Sequence, residues 1–172
     1  MNKIKLLVVD DHDIIIDGIK AMLINNEEIE IIAEAKDGEE ALKLASELIP
    51  DVILMDISMP KLSGIEATKR IKSKHSGIKI IVLTQHESKE YVLEMMKVGA
   101  DGYLLKNSKK SELTQAIGIV HRGEKYFGHK VSSIMMNEML TQNESKKEVE
   151  TKVILTKREI EIIKLISNDL SN

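Results

Sequence analysis

The amino-acid sequence predicts an α/β fold: a doubly wound parallel sheet followed by C-terminal helices. Two observations predict the class. Short apolar runs of strand length alternate with amphipathic stretches of helix length over the first two-thirds of the 172 residues. The connections are also long enough to hold a crossover helix, which is what parallel neighbours require. A third observation places a site. Four runs end in polar residues: Leu-Leu-Val-Val-Asp-Asp-His at 6–12, Val-Ile-Leu-Met-Asp-Ile-Ser-Met-Pro at 52–60, Val-Leu-Thr at 82–84 and Gly-Tyr-Leu-Leu-Lys at 102–106. In open parallel sheets, ligands bind just outside the carboxyl ends of the strands.

The elements follow in order. Residues 4–9 form an apolar run for a first strand, and 12–25 a helix with Ile14, Ile15, Ile19, Met22 and Leu23 on one side. Residues 29–34 read as a second strand. Asp37 and Gly38 open a helix over 38–48, which Pro50 closes off. A third strand spans 51–55, a helix 64–74 and a fourth strand 78–83. A helix over 88–98 stops at Gly99, a fifth strand covers 101–105, and a last helix over 109–122 stops at Gly123. Beyond it, residues 129–140 suit another amphipathic helix carrying Val131, Ile134, Met135, Met139 and Leu140. Residues 141–152 are polar and charged and bury almost nothing, as in a linker. Residues 155–172 turn amphipathic again. Thr156 and Glu159 form a capping box there, ahead of an apolar stripe of Ile160, Ile163, Leu165 and Ile166. The expected domains are 1–125, a linker helix and charged linker over 126–154, and a final segment 155–172.

Composition narrows the class. Apolar residues make up 42% and aromatics 2%, so the core is aliphatic and rich in methionine. A net charge of −3 argues against a generic surface for coating nucleic acid. With no cysteine there is no disulfide, no thiol nucleophile and no cysteine zinc site. The apolar run at residues 1–9 is too short for a signal-peptide core or a membrane span, so a soluble, cytoplasmic protein without a membrane partner is expected.

The strand-end residues supply acids (Asp10, Asp11, Asp56), a hydroxyl (Thr84) and an amine (Lys106). Three carboxylates in one crevice repel one another unless a cation lies between them. Oxygen ligands without thiols point to a hard divalent ion, Mg²⁺ before Ca²⁺. Histidines 12, 75, 121 and 129 are scattered, which argues against a histidine metal site, and His12 receives no role. Asp56 alone among the acids follows a fully apolar strand and precedes a turn closed by Met59-Pro60.

In their order and strand-end placement, these residues make the first ~125 positions resemble the receiver domain of a bacterial two-component response regulator. The resemblance implies a flavodoxin-like (βα)5 sheet of strand order 2-1-3-4-5. It implies that Asp56 accepts a phosphoryl group from a sensor histidine kinase. The chain would catalyse that transfer and the later dephosphorylation on itself, without being an enzyme in the ordinary sense. Asp11 would be a direct Mg²⁺ ligand, Asp10 would hold a coordinated water, and the Ser58 carbonyl would complete the protein ligands with Asp56. Lys106 and Thr84 would contact phosphoryl oxygens, and Tyr103 would rotate inward as Thr84 moves. Ser58 and His86 would tune attack by water. The sequence departs from the pattern at Asp13 and Asn107, where proline is common, and at Met95 and Met96, which are larger than usual.

Residues 155–172 resemble the opening of the LuxR-type helix-turn-helix domain of NarL/FixJ regulators. Read so, the recognition helix would lie beyond Asn172. Residues 141–172 carry six acidic and six basic side chains and no basic patch. The expectation is a regulator whose full-length parent binds DNA and controls transcription, while this chain reads no DNA sequence. Phosphorylation is expected to promote a homodimer, on the grounds that Leu113, Ala116, Ile117 and Val120 exceed one buried stripe. Two other classes compete. An aspartyl phosphatase or phosphotransferase would carry its nucleophile on the first strand, and a phosphorylation-independent interaction module would lack Asp56, Thr84 or Lys106.

Overall fold

A computed structural model of the chain describes residues 2–85, 89–128, 131–134 and 136–137. The chain divides into two compact units, Met1–Met135 and Met136–Asn172, and the sheet with its helices belongs to the first. The expected charged linker at 141–152 and the segment 155–172 lie outside the described residues.

The elements are β1 (Ile4–Val9), α1 (Asp13–Leu23), β2 (Ile29–Ala35), α2 (Gly38–Leu48), β3 (Val52–Asp56) and α3 (Gly64–Lys74). They continue through β4 (Lys79–Thr84), α4 (Lys89–Lys97), β5 (Gly102–Leu105), α5 (Lys110–His121) and β6 (Tyr126–Phe127). The sheet order is β2-β1-β3-β4-β5-β6, and every pair is parallel. The five-strand order implied by the resemblance is present. β6 is an addition: the sheet runs past residue 125, where a linker was expected to begin.

Alternate residues of the central strands face opposite layers, as the two-residue strand period requires. Leu6, Val8, Val52 and Leu54 pack with Ile16 and Ile19 of α1 and with α5. Leu7, Val9, Ile53 and Met55 pack against Ala41 and Ala45 of α2 and Ala67 and Ile71 of α3. A third cluster joins Val82 and Tyr103 to Val92 and Met95 of α4. The bulk of Met95, noted in the sequence, is thus absorbed in the core.

The cap the sequence placed is present: the Asp37 carboxylate accepts the Glu40 N–H at 2.9 Å. Ser63, not singled out in the sequence, caps α3 by accepting the Glu66 N–H at 3.4 Å. Two expectations fail. Ile14 was assigned to the buried face of α1 but is 79% exposed; the buried stripe is Ile16, Ile19 and Leu23, at i, i+3 and i+7. A helix cannot turn Ile14 and Ile16 to the same side. The four apolar residues of α5 that motivated a dimer surface are all in the core, so α5 offers no surplus of that kind.

Candidate functional site

The sheet carries the predicted residues to one edge. Asp10 follows β1 directly, and its N–H donates to the Ala35 carbonyl at 3.0 Å. Asp56 ends β3 opposite Leu83, and Thr84 ends β4 opposite Leu105. The Lys106 N–H donates to the Thr84 carbonyl at 2.8 Å, so the lysine leaves the sheet beside the acids. Parallel strands in nearly even register therefore end together, and their last side chains converge.

Lys106 is the hub. Its Nζ lies 2.6 Å from Asp10 Oδ2 and 3.1 Å from Asp56 Oδ1, with the ammonium almost wholly buried. Asp56 Oδ1 also accepts the N–H of Ile57 at 2.8 Å. Asp10 and Asp56 are buried, while Asp11 is partly open to solvent. Burial, and then the charge of Asp10, push the Asp56 carboxyl above the usual carboxylate range, and Lys106 and the Ile57 amide offset this only in part. One ammonium thus serves a crevice of three acids.

Asp10, Asp11, His12 and Asp56 each offer a ligand atom, and these atoms lie within 4.8 Å of one another. A donor set dominated by carboxylate oxygens fits a hard divalent cation, whose charge would relieve the repulsion that raises Asp56. His12 is the member that sequence reasoning passed over. Its Nδ1 lies 3.2 Å from Asp10 Oδ1 and 2.9 Å from Asp11 Oδ1, and its N–H donates to Asp10 Oδ1 at 3.0 Å. The signal was its adjacency to the Asp-Asp pair.

The other predicted positions divide. Thr84 is buried at the end of β4, and Ser58 is exposed in the loop after β3. His86 lies outside the described residues. Tyr103, expected to rotate inward, is already enclosed at 1% exposure. Gly64 was not singled out, yet it fixes the loop below Asp56. Its N–H donates to the Ile57 carbonyl at 2.9 Å, and a Cβ there would meet the Asp56 carbonyl oxygen at 1.8 Å. Only glycine lets α3 start so close to the strand end.

Comparison with known proteins agrees with this geometry. Residues 6–118 match the model of the response regulator receiver domain. The chain is 37% identical over 183 residues to the transcriptional regulatory protein DegU of Brevibacillus brevis, across 99% of this chain and 78% of that protein. It is 41% identical over 169 residues to the transcriptional regulatory protein LiaR of Bacillus subtilis (strain 168), across 98% and 79%. Among solved structures, a LuxR-family two-component response regulator from Aurantimonas sp. SI85-9A1 superposes with a TM-score of 0.76 at 30% identity. That match covers 81% of this chain and 99% of the other. Among the described residues, no helix is long and apolar enough to cross a membrane. The strand order, the converging acids and the reach of these matches lead to one assignment: the chain belongs to the response-regulator family, with a receiver domain and relatives of the LuxR type.

Proposed function

We propose that the chain is a phosphorylation-dependent switch in which Asp56 accepts a phosphoryl group from the phosphohistidine of a sensor kinase. The observation that carries this reading is the position of Asp56, buried at the end of β3 between one ammonium and two further carboxylates. An Asp56 oxygen attacks phosphorus, a new O–P bond forms, and the P–N bond to the donor histidine breaks. The histidine nitrogen keeps the electron pair and takes up a proton. Phosphoryl transfer asks the protein chiefly for alignment and charge neutralisation. Lys106, already 3.1 Å from the carboxylate, follows the charge onto a phosphoryl oxygen as a compact cation does well. Thr84, at the next strand end, donates its hydroxyl to another. Tyr103 accompanies Thr84, and Ser58 and His86 tune attack by water.

Asp10, Asp11, Asp56 and the Ser58 carbonyl would hold Mg²⁺, with His12 orienting the two N-terminal acids. When bound, the ion neutralises charge on the transferring group. Phosphorylation would alter self-association. Ile14, standing in solvent beside an apolar depression between α1 and the start of α5, supports a surface for it. We assign the charged run 141–152 to a linker and 155–172 to the opening of a LuxR-type helix-turn-helix domain, so the output is transcription control in a full-length regulator. The names of the relatives, both transcriptional regulatory proteins, support this.

Incubation with a small phosphodonor and Mg²⁺, followed by intact mass measurement, tests the reading. A single phosphoryl addition is expected, absent in Asp56→Ala and after chelation of the cation. Equal labelling of Asp56→Ala would overturn it.

A further inference from the structure

The loop after β3, residues 57–63, is fastened at both ends. At the near end the Ile57 N–H holds Asp56 Oδ1 at 2.8 Å, and the Ile57 carbonyl takes the Gly64 N–H at 2.9 Å. The far end is tied to the start of α2. The Gly38 N–H donates to the Leu62 carbonyl at 3.1 Å, an approach so close that a Cβ on Gly38 would meet that oxygen at 2.5 Å. Lys61 Nζ donates to Asp37 Oδ2 at 2.6 Å, while the other oxygen of the same buried carboxylate caps α2 through the Glu40 N–H. Lys61 also stands at φ +62°, the left-handed region that a non-glycine residue keeps only where its surroundings impose it. Here the hold of its ammonium on Asp37 and the neighbouring Leu62 bond impose it. The loop is therefore bent to meet α2, and the ion pair that bends it takes no part in the acid crevice.

We propose that Asp37 and Lys61 are positioning residues for the divalent cation of the Asp56 site, a clasp that holds the loop bearing Ser58 in the shape that cation binding needs. The proposal rests on the reading of that site given above, in which the Ser58 carbonyl joins the carboxylates around Mg²⁺. Its direction follows from the state of the crevice. Ligand atoms of Asp10, Asp11 and Asp56 already lie within 4.8 Å of one another while the clasp is closed, so this is the arrangement gathered for a cation. Whatever keeps a site gathered beforehand spares the ligand the cost of ordering it. With the clasp open, Lys61 relaxes toward the ordinary backbone regions and the loop redirects between Ile57 and Leu62. Mg²⁺ must then order it again on binding. Charge alone predicts a different pattern. Removing the Lys61 ammonium takes a positive charge from the chain and would tighten a cation, whereas removing the Asp37 charge would weaken it. Loss of a clasp weakens binding in both cases.

Calorimetric titration of the metal-free full chain with Mg²⁺ tests this, with urea unfolding in the presence of a chelator as the measure of stability. Asp37→Asn keeps a cap for α2, and Lys61→Met keeps an unbranched stem without the charge. Each is expected to weaken Mg²⁺ binding about 5-fold. The double variant is expected to lose no more than either single one, because the same interaction is removed once. Lys61→Arg, which still pairs with Asp37, is expected to bind as the native chain does. Stability without the ion is expected to change little, since an ion pair with an exposed partner contributes little. Unchanged or tighter binding by either single variant, an additive loss in the double variant, or an arginine variant as weak as the methionine one overturns the clasp alone. A fall in stability at unchanged Mg²⁺ affinity does the same, leaving the pair a purely structural bond. A native chain that binds no Mg²⁺, or whose binding survives Asp11→Ala undiminished, overturns the reading of the site and the clasp with it.

Discussion

Asp56 is held against its own preference. Burial and the Asp10 charge raise its pKa in the folded chain. An acid whose pKa is higher folded than unfolded ionises first in the unfolded chain. Stability is therefore lost as pH rises from the ordinary carboxylate range to the raised value, and the loss is complete above it. Asp56→Asn, which keeps the shape and removes the charge, is expected to raise stability at neutral pH by about 1 kcal/mol. It should also flatten this part of the pH profile, as urea unfolding at several pH values would reveal. A less stable Asn variant would mean that the bonds from Lys106 and Ile57 outweigh the repulsion. Lys106 poses the opposite case. Lys106→Met leaves Asp10 and Asp56 buried without their cation and is expected to cost about 3 kcal/mol. Millimolar Mg²⁺ should restore part of that loss, because a ligand bound only by the folded state stabilises it. Denaturation with and without the ion reads both effects. The sequence disclosed Asp10, Asp11, Asp56, Thr84 and Lys106 because each ends an apolar run and a parallel sheet brings such ends together. It disclosed neither the contacts of His12 nor the need for Gly64, since both depend on how a loop folds back after its strand.

At the scale of elements, the opposite end of the sheet is fastened by a second buried acid. Asp101 sits between β4 and β5, pairs with Lys72 of α3 and with Lys125, and accepts the Ile80 N–H at 2.9 Å. Burial alone would raise its pKa, but Lys72, the Ile80 amide and Lys125 together hold it below the usual range. Here the sign reverses. The stabilisation is present above the ordinary carboxylate range and is lost as pH falls through the depressed folded value. Asp101→Asn is expected to destabilise by about 3 kcal/mol at neutral pH, because Lys72 stays buried without its partner. The penalty should shrink in acid, as thermal unfolding across pH would show. Nothing in the sequence around Asp101 announces this junction, whose partners lie 29 and 24 positions away. Helices were more legible. α2 and α3 span the residues that the sequence pattern predicts, α2 with the Asp37 cap that opens it. α1 misled at Ile14 because three consecutive isoleucines leave the phase of the stripe open, and only the sheet decides that Ile16 faces it.

For the whole molecule, the α/β class and parallel pairing could be read from alternation, and strand order from the resemblance. β6 could not, because two residues carry no strand period of their own. This small addition matters for the edges of the sheet. β2, on one side, carries Glu30 and Glu34, the latter paired with Lys20 at 2.6 Å, and its register with β1 shifts between Leu6 and Leu7. Charge and irregularity of this kind discourage another chain from pairing there. β5, on the other side, is short and almost wholly buried, with no charged residue from Gly102 to Leu105. Left bare, its peptide groups would be an open template for a neighbouring molecule. β6 blunts that edge by pairing with Gly102 and Tyr103. β6 therefore also guards the sheet against edge-to-edge association, since lifting its two residues would bare the peptide groups of β5.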